Sequence, residues 1–250
     1  MMGEIFLILF GLSLVAFTWY AHDRLVAALE KGGTPLRLRS YPSVTVIRPI
    51  RGLDAGAEGN IAAALDNGYP GEVETIFVFD DANEPALPLV EQAIDMHLAD
   101  GRPGTARVLF CGSPPPGQTG KLNAMIKGLN HAKGELIAFA DSDIRPDRDA
   151  LRVLVETLMT SPGAGSSFAP VVVSENARTA GDVGYGVMLN GLYGPEAAAS
   201  TVRHHGTLPF IMGQFMLFKR STIDAIGGLE SAEGQFVDDV RTSEGRGDGF

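Results

Sequence analysis

Two pairs of carboxylates stand directly behind two apolar, β-type runs. VETIFVF (73–79) leads into Asp80-Asp81, and ELIAFA (135–140) leads into Asp141-Ser142-Asp143. Carboxylates held this close repel one another, and their pKa values rise unless a cation joins them. Hard oxygen ligands suit Mg²⁺ or Mn²⁺, which are commonly held by one or two carboxylates together with substrate phosphates. Asp141 and Asp143 are therefore candidate metal ligands, and their D-x-D is a candidate seat for a metal–diphosphate. An acidic turn that holds nothing is the other reading of either pair alone. Two such pairs at two strand ends weigh against it, because ligands of open α/β sheets sit outside the carboxyl ends of the strands.

Other motifs fail on their spacing. Asp141 to Pro146 begins like an EF-hand loop, but Arg145 and Pro146 stand where a ligand and glycine are required. Gly120-Lys121 lacks the earlier glycine and the following Ser/Thr of a P-loop. Gly181, Gly184 and Gly186 have the wrong order for a dinucleotide fingerprint. There is no G-x-S-x-G elbow. His204-His205 has no metal-ligand spacing and reads as a surface pair, and Arg246-Gly247-Asp248 reads as a chance tripeptide. A third acidic pair, Asp238-Asp239, follows a glycine-rich turn and a helix capped at Ser221; alone it carries little, since acidic turns are common.

The elements that must position the two strand-end pairs alternate in type. VTVIRPI (44–50), 73–79, 106–110 and 135–140 read as buried strands, with later strands at 166–174 and 215–219. Between them lie helical stripes. Residues 59–66 carry Ile61 and Leu65, and 85–98 carry Leu87, Val90, Ile94 and Leu98. Two further stripes run through Leu122, Met125, Ile126 and Leu129, and through Leu151, Leu154, Val155 and Leu158. Repeated βα units predict an α/β fold with a mainly parallel, three-layer α/β/α sheet.

The 250 residues allow one large or two small domains. With 45% hydrophobic and 20% charged residues, there is material for a sizeable core, and the composition argues against disorder, collagen-like structure and a coiled coil. A formal charge of −10 argues against nucleic acid as a partner. The single cysteine, Cys111, excludes an internal disulfide framework and a multi-cysteine zinc site. The segment 5–21, IFLILFGLSLVAFTWYA, has no charge in 17 residues and ends on Trp19-Tyr20. That is near the lower limit for a bilayer span, with an aromatic belt at one end. Only Glu4 precedes it, while Arg24, Lys31, Arg37 and Arg39 follow, which predicts a cytoplasmic side for the rest of the chain. A cleaved signal peptide would need a basic n-region and a small-residue cleavage site, and neither is evident. A buried helix of a soluble protein is the third reading. The expected organisation is an anchor at 1–25, a Gly/Pro linker at 26–42, a catalytic domain at 43–240 and a tail at 241–250. Segment 179–210 mixes Val183, Val187, Met188, Leu189, Leu192 and Tyr193 with glycines and alanines, and is expected to be a packing helix with loops; a segment lying at the membrane interface or lining the acceptor mouth is the other reading.

Taken together, these pieces resemble the inverting, family-2-like glycosyltransferases of GT-A fold, and within them the ceramide glucosyltransferases and their hopanoid-associated bacterial relatives. The resemblance rests on the N-terminal apolar segment, VTVIRPIRGLD (44–54), NGYPGEVETIFVFDDANEPA (67–86), GKLNAMIKGLNHAKGELIAFADSDIRPD (120–147) and MGQFMLFKRSTIDAIGGLESAEGQFVDDV (212–240). It implies a UDP-sugar donor, with glucose the expected sugar, and a membrane lipid such as ceramide as acceptor; a hopanoid or polyprenyl lipid is the alternative. It implies that Asp81, with Asp80 beside it, faces the uridine diphosphate, and that Arg48 and Pro49 lie where base and ribose sit. Lys121 and Asn123 match the family's K-x-N and are implied donor contacts. Asp141 and Asp143 match the metal-binding D-x-D, with Asp141 also beside the donor. Asp239, preceded by Asp238, matches the general base. The family's Q/R-x-x-R-W motif does not occur between Asp239 and Phe250, so the resemblance also implies a truncated chain, or a sugar-binding remnant without turnover.

Overall fold

The computed structural model describes residues 2–31, 37–54, 56–173, 178–194, 197 and 213–232. Two compact units emerge: residues 1–34 with 170–208, and residues 35–169 with 209–250.

The larger unit is built on a six-stranded sheet. Its strands are β1 (Val44–Pro49), β2 (Val73–Phe79), β3 (Thr105–Phe110), β4 (Leu136–Ala140), β5 (Ser166–Phe168) and β6 (Phe215–Lys219), in the order β3-β2-β1-β4-β6-β5. β1, β2, β3 and β4 run parallel, and β6 is antiparallel to both β4 and β5. The helices are α2 (Ala57–Leu65), α3 (Leu87–Ala99), α4 (Gly120–His131), α5 (Ala150–Thr160) and the short α7 (Arg220–Ala225). The chain steps outward from β1 to β2 to β3, then returns through α4 to place β4 on the other flank of β1. That reversal is the topological switch point at which such sheets bind ligands.

Successive side chains on a strand point to opposite faces, and the core divides accordingly. Ile76 and Val78 pack with Ile47, Ile137, Phe139, Met216 and Phe218 under Leu122 and Met125 of α4. Phe77 and Phe79 pack on the other face with Ile61 of α2 and Leu87, Val90 and Ile94 of α3. The predicted three-layer α/β/α arrangement is therefore present. α5 buries Leu151, Leu154, Val155 and Leu158 and packs against β5 and β6.

At the foot of the sheet the return into β4 is tied down. Thr45 Oγ1 accepts from the Lys133 and Gly134 amides at 3.2 and 2.8 Å and donates to Glu74 Oε2 at 2.9 Å. Burial pushes the Glu74 carboxyl up, but bonds from Thr45, the Lys133 amide and Arg107 outweigh it and leave the group below its ordinary value. A Cβ on Gly134 would stand 2.4 Å from Thr45 N and 2.8 Å from Leu136 O, so backbone on both sides requires glycine. Arg220 closes the end of α4 by donating to the carbonyls of Ala132 and Gly134.

The 166–174 strand is shorter than its apolar run predicts. Ala169 N still donates to Phe215 O at 3.0 Å, but Pro170 has no N–H to continue the ladder.

In the smaller unit, α1 (Met2–Lys31) contains Gly3–Arg24, 22 residues long and apolar enough to cross a membrane. It runs on into the expected linker. Also in this unit are α6 (Ala180–Met188) and a π-helical turn, Leu189–Tyr193.

Candidate active site

The switch-point cleft opens between the carboxyl ends of β1 and β4, with a volume of about 460 Å³. Its walls come from Pro49 at the end of β1, Arg51 just after it, Asp80 after β2, Lys121 of α4, and Asp141, Ser142 and Asp143 after β4.

The D-x-D turn is held from behind. Ser142 Oγ donates to Asp54 Oδ2 at 2.7 Å, which ties the turn to the loop after β1. Ser142 O accepts from Arg48 Nη2 at 3.1 Å and from Asn60 Nδ2 of α2 at 3.3 Å. Arg48 Nη2 also donates to Ile144 O. Asp141 N donates to Gln214 O at 2.9 Å, extending the β4–β6 ladder by one bond. With its backbone carbonyls turned inward to these donors, the turn leaves Asp141 half-buried and Asp143 exposed on the cleft wall.

Arg48 is fully buried, and its Nε and Nη1 have no hydrogen-bond partner. Burial pulls its pKa down to about 10, with Asp141, Asp143 and Asp54 pushing it back up. It therefore stays charged at neutral pH, a cation directly behind two cleft carboxylates. The structure places it beneath the turn and not on the cleft wall, whereas Pro49 does line the cleft.

The α4 N-terminus faces the turn. Thr119 caps the helix by accepting from Leu122 N at 3.1 Å. This fixes the first turn, from which Lys121 Nζ reaches Asp141 Oδ1 at 2.9 Å. Asn123, two residues on, points elsewhere: its Nδ2 donates to Gly112 O at 3.0 Å and braces the loop after β3.

Asp80 lies on the cleft, 3.8 Å from Arg51 Nε, and accepts a weak bond from Cys111 Sγ at 3.6 Å. Burial first, and then the Asp80 charge, push the Cys111 thiol up to about 11. Asp81 is exposed and caps its own turn, accepting from Asn83 N at 2.7 Å. The loop after β1 turns at Gly52, whose φ of 74° favours glycine and whose amide donates to Glu84 Oε2 at 2.7 Å. Asp238 and Asp239 lie outside the described residues.

Asp54, Asp80, Asp141 and Asp143 thus meet Arg51 and Lys121 around one cleft, leaving it net acidic. No group of three His, Cys, Asp or Glu side chains forms a closed metal cage among the described residues. Two hard carboxylates on an open wall are the donor set expected where substrate phosphates complete the coordination of Mg²⁺ or Mn²⁺. The donors present fit such an ion.

Asp54, Asn60, Arg51 and Thr119 are site-building residues that the motif reading did not assign. Asn60 did carry a signal, being an amide on the otherwise apolar face of AEGNIAAAL.

A family model described as "Glycosyl transferase family 21" matches residues 5–245. The chain belongs to glycosyl transferase family 21. Curated relatives agree at the level of family. A ceramide glucosyltransferase of Komagataella phaffii is 30% identical over 168 residues, covering 62% of this chain and 32% of that protein. One of Candida albicans is 27% identical over 124 residues, covering 47% and 23%. The chain thus spans about a third or less of the curated relatives it matches. Among solved structures, the mannosyltransferase PcManGT from Pyrobaculum calidifontis, determined with GDP-Man and Mn²⁺, aligns with a TM-score of 0.52 at 21% identity. That alignment covers 93% of this chain and 61% of the mannosyltransferase, and together with the family match it shows the GT-A fold.

Proposed function

We propose that this family 21 chain transfers a hexose, glucose by preference, from a UDP-sugar to the hydroxyl of a membrane lipid such as ceramide, with inversion at the anomeric carbon. The observation that carries the reading is the D-x-D turn at the switch-point cleft, pinned by Arg48, Asn60 and Asp54 and faced by Lys121. Asp141 and Asp143 are the residues that would hold Mg²⁺ or Mn²⁺. When bound, the ion supplies Lewis-acid neutralisation of the leaving diphosphate. Lys121 swings its ammonium, still on its own side chain, from Asp141 to a phosphate oxygen as the donor enters. Asp80, with Asp81 beside it, faces the uridine end, and Arg48 fixes the turn from below. Asp239, with Asp238 before it, takes the proton of the acceptor hydroxyl. The hydroxyl oxygen forms its bond to the anomeric carbon as the carbon–diphosphate bond breaks, and that electron pair leaves on UDP.

A lipid acceptor is supported by the ceramide glucosyltransferase relatives and by α1, which places an apolar helix next in sequence to this unit. The basic residues at and beyond the end of the apolar span, Arg24, Lys31, Arg37 and Arg39, support a cytoplasmic side for the catalytic unit. The test is calorimetric titration of UDP and UDP-glucose into the chain in Mn²⁺ and in EDTA, repeated with Asp143→Ala. Micromolar binding that needs the metal and is lost in the variant is expected. Equal binding by wild type and variant in Mn²⁺ would overturn the metal role, and no binding by folded protein in either condition would overturn the donor. Acceptor screening with ceramide, hopanoid and polyprenyl lipids then reads the acceptor.

A further inference from the structure

The smaller unit holds a helix whose charged and amide side chains are already bonded within that unit. From 180 to 193, α6 and its π-helical turn form a rod of about 21 Å at 1.5 Å per residue. Asp182 is its only charged residue. That carboxylate closes a capping box, accepting from the Arg178 and Thr179 amides while Thr179 Oγ1 accepts from Asp182 N. Asn190 is spent as well: its Oδ1 accepts from Val173 N at 2.9 Å and its Nδ2 donates to Val173 O at 3.0 Å. Only the hydroxyls of Tyr185 and Tyr193 remain as side-chain polar groups beyond the cap.

The apolar side chains of the same rod face outward. Val183, Tyr185, Val187, Met188, Leu192 and Tyr193 are 40% to 63% exposed, and Leu189 alone is buried. A packing helix, as its sequence suggests, would bury such a stripe; this one does not. A helix apolar on most of its surface belongs in a protein core or in lipid. The π-helical turn contacts α1, whose own apolar span is wholly exposed. The two exposed apolar surfaces therefore belong to helices that touch within one unit. The rod is shorter than the ~30 Å hydrocarbon layer, so it does not cross it. Tyrosines are the aromatic residues that settle at a membrane–water interface together with tryptophan.

We propose that segment 180–193 docks in the interfacial apolar layer of the bilayer beside α1, as a second membrane contact of this chain. The proposal rests on α1 being a span, and the experiment separates the two claims. Trp19 in α1 is the only tryptophan of the chain. The full chain is reconstituted in phosphatidylcholine vesicles with and without dibrominated acyl chains, as wild type and as Trp19→Phe carrying either Tyr193→Trp or Val187→Trp. Bromolipid should about halve the emission of Trp19 and of each introduced tryptophan, while aqueous iodide leaves the introduced ones nearly unquenched. Quenching of Trp19 with positions 187 and 193 open to iodide and untouched by bromolipid overturns the docking and leaves the span standing. Shielding of 187 and 193 from both quenchers means a second copy or another part of the chain covers the face, and also overturns it. No bromolipid quenching of Trp19 overturns the span, and the docking with it.

Discussion

Lys121→Met separates the two tasks that Lys121 performs. Its ammonium stands 2.9 Å from Asp141 Oδ1, with the two side chains 35% and 27% exposed. At that distance Coulomb's law gives about 1.4 kcal/mol in water and about 6 at an effective dielectric of 20. A partly exposed pair that also gives up side-chain freedom retains on the order of 1 kcal/mol. A divalent ion arriving alone has to displace that ammonium, so Lys121→Met should bind Mn²⁺ alone about fivefold more tightly. The diphosphate, in contrast, loses a charge-assisted bond worth about 1.5–3 kcal/mol, so UDP in saturating Mn²⁺ should bind roughly ten- to a hundredfold more weakly. Electron paramagnetic resonance of free Mn²⁺ reads the first quantity and calorimetry reads the second. In about 1 M salt, where the Debye length is about 3 Å, the gap in Mn²⁺ affinity should narrow. A variant that binds Mn²⁺ alone no better than wild type would refute the displacement argument, and one that binds UDP equally well would refute the phosphate contact.

Asp239→Asn should leave UDP affinity near that of wild type and abolish sugar transfer to lipid; transfer at an unchanged rate removes it as the base. Gly134→Ala forces a Cβ to within 2.4 Å of the Thr45 amide nitrogen, where only backbone can move. It should cost about 3 kcal/mol and lower Tm by about 6–12 °C, and an unchanged melting curve would mean that the turn is looser than the structure shows. Cys111, with its thiol pushed up to about 11, should react with iodoacetamide at pH 8 about a hundredfold more slowly than a free thiol. Because the folded state holds this proton more tightly, the contribution of Cys111 to stability is complete below about pH 8.5 and is lost as pH climbs through about 11. Rapid labelling at pH 8 would contradict the half-buried, acid-flanked setting.

The two acidic turns were legible because a strand of a parallel sheet announces itself as an apolar run, and the ligand edge is where that run stops. VETIFVF and ELIAFA are each followed directly by a carboxylate, and the structure puts Asp80, Asp141 and Asp143 on one cleft. Strand direction was not legible: FMLFK would read the same parallel or antiparallel, and only the register against β4, from Leu136 opposite Lys219 to Ala140 opposite Phe215, fixes it. Arg48 was hidden for a related reason. In a strand covered on both faces, no alternation distinguishes a residue reaching the cleft from one folded under the turn. Asn123 illustrates the limit of motif matching, since its spacing from Lys121 is met while its amide is engaged with the loop after β3.

The cleft is built from parts of unequal stiffness. The D-x-D backbone is bonded to β1 through Arg48, to α2 through Asn60 and to the loop after β1 through Asp54, so the carboxylates stand in place before any ligand arrives. Lys121 and Arg51 sit on long side chains and can exchange partners without backbone movement. Holding a guanidinium at 0% exposure with two N–H-bearing nitrogens unpartnered is costly to a fold. A chain selected for stability alone would fill that space with an apolar side chain. The cost has a local return, because Arg48 sets a buried cation against a cluster that would otherwise set Asp54, Asp141 and Asp143 against one another. A fixed buried charge keeps the acidic turn assembled, and a movable one on Lys121 can then be surrendered to an incoming diphosphate without the turn springing open.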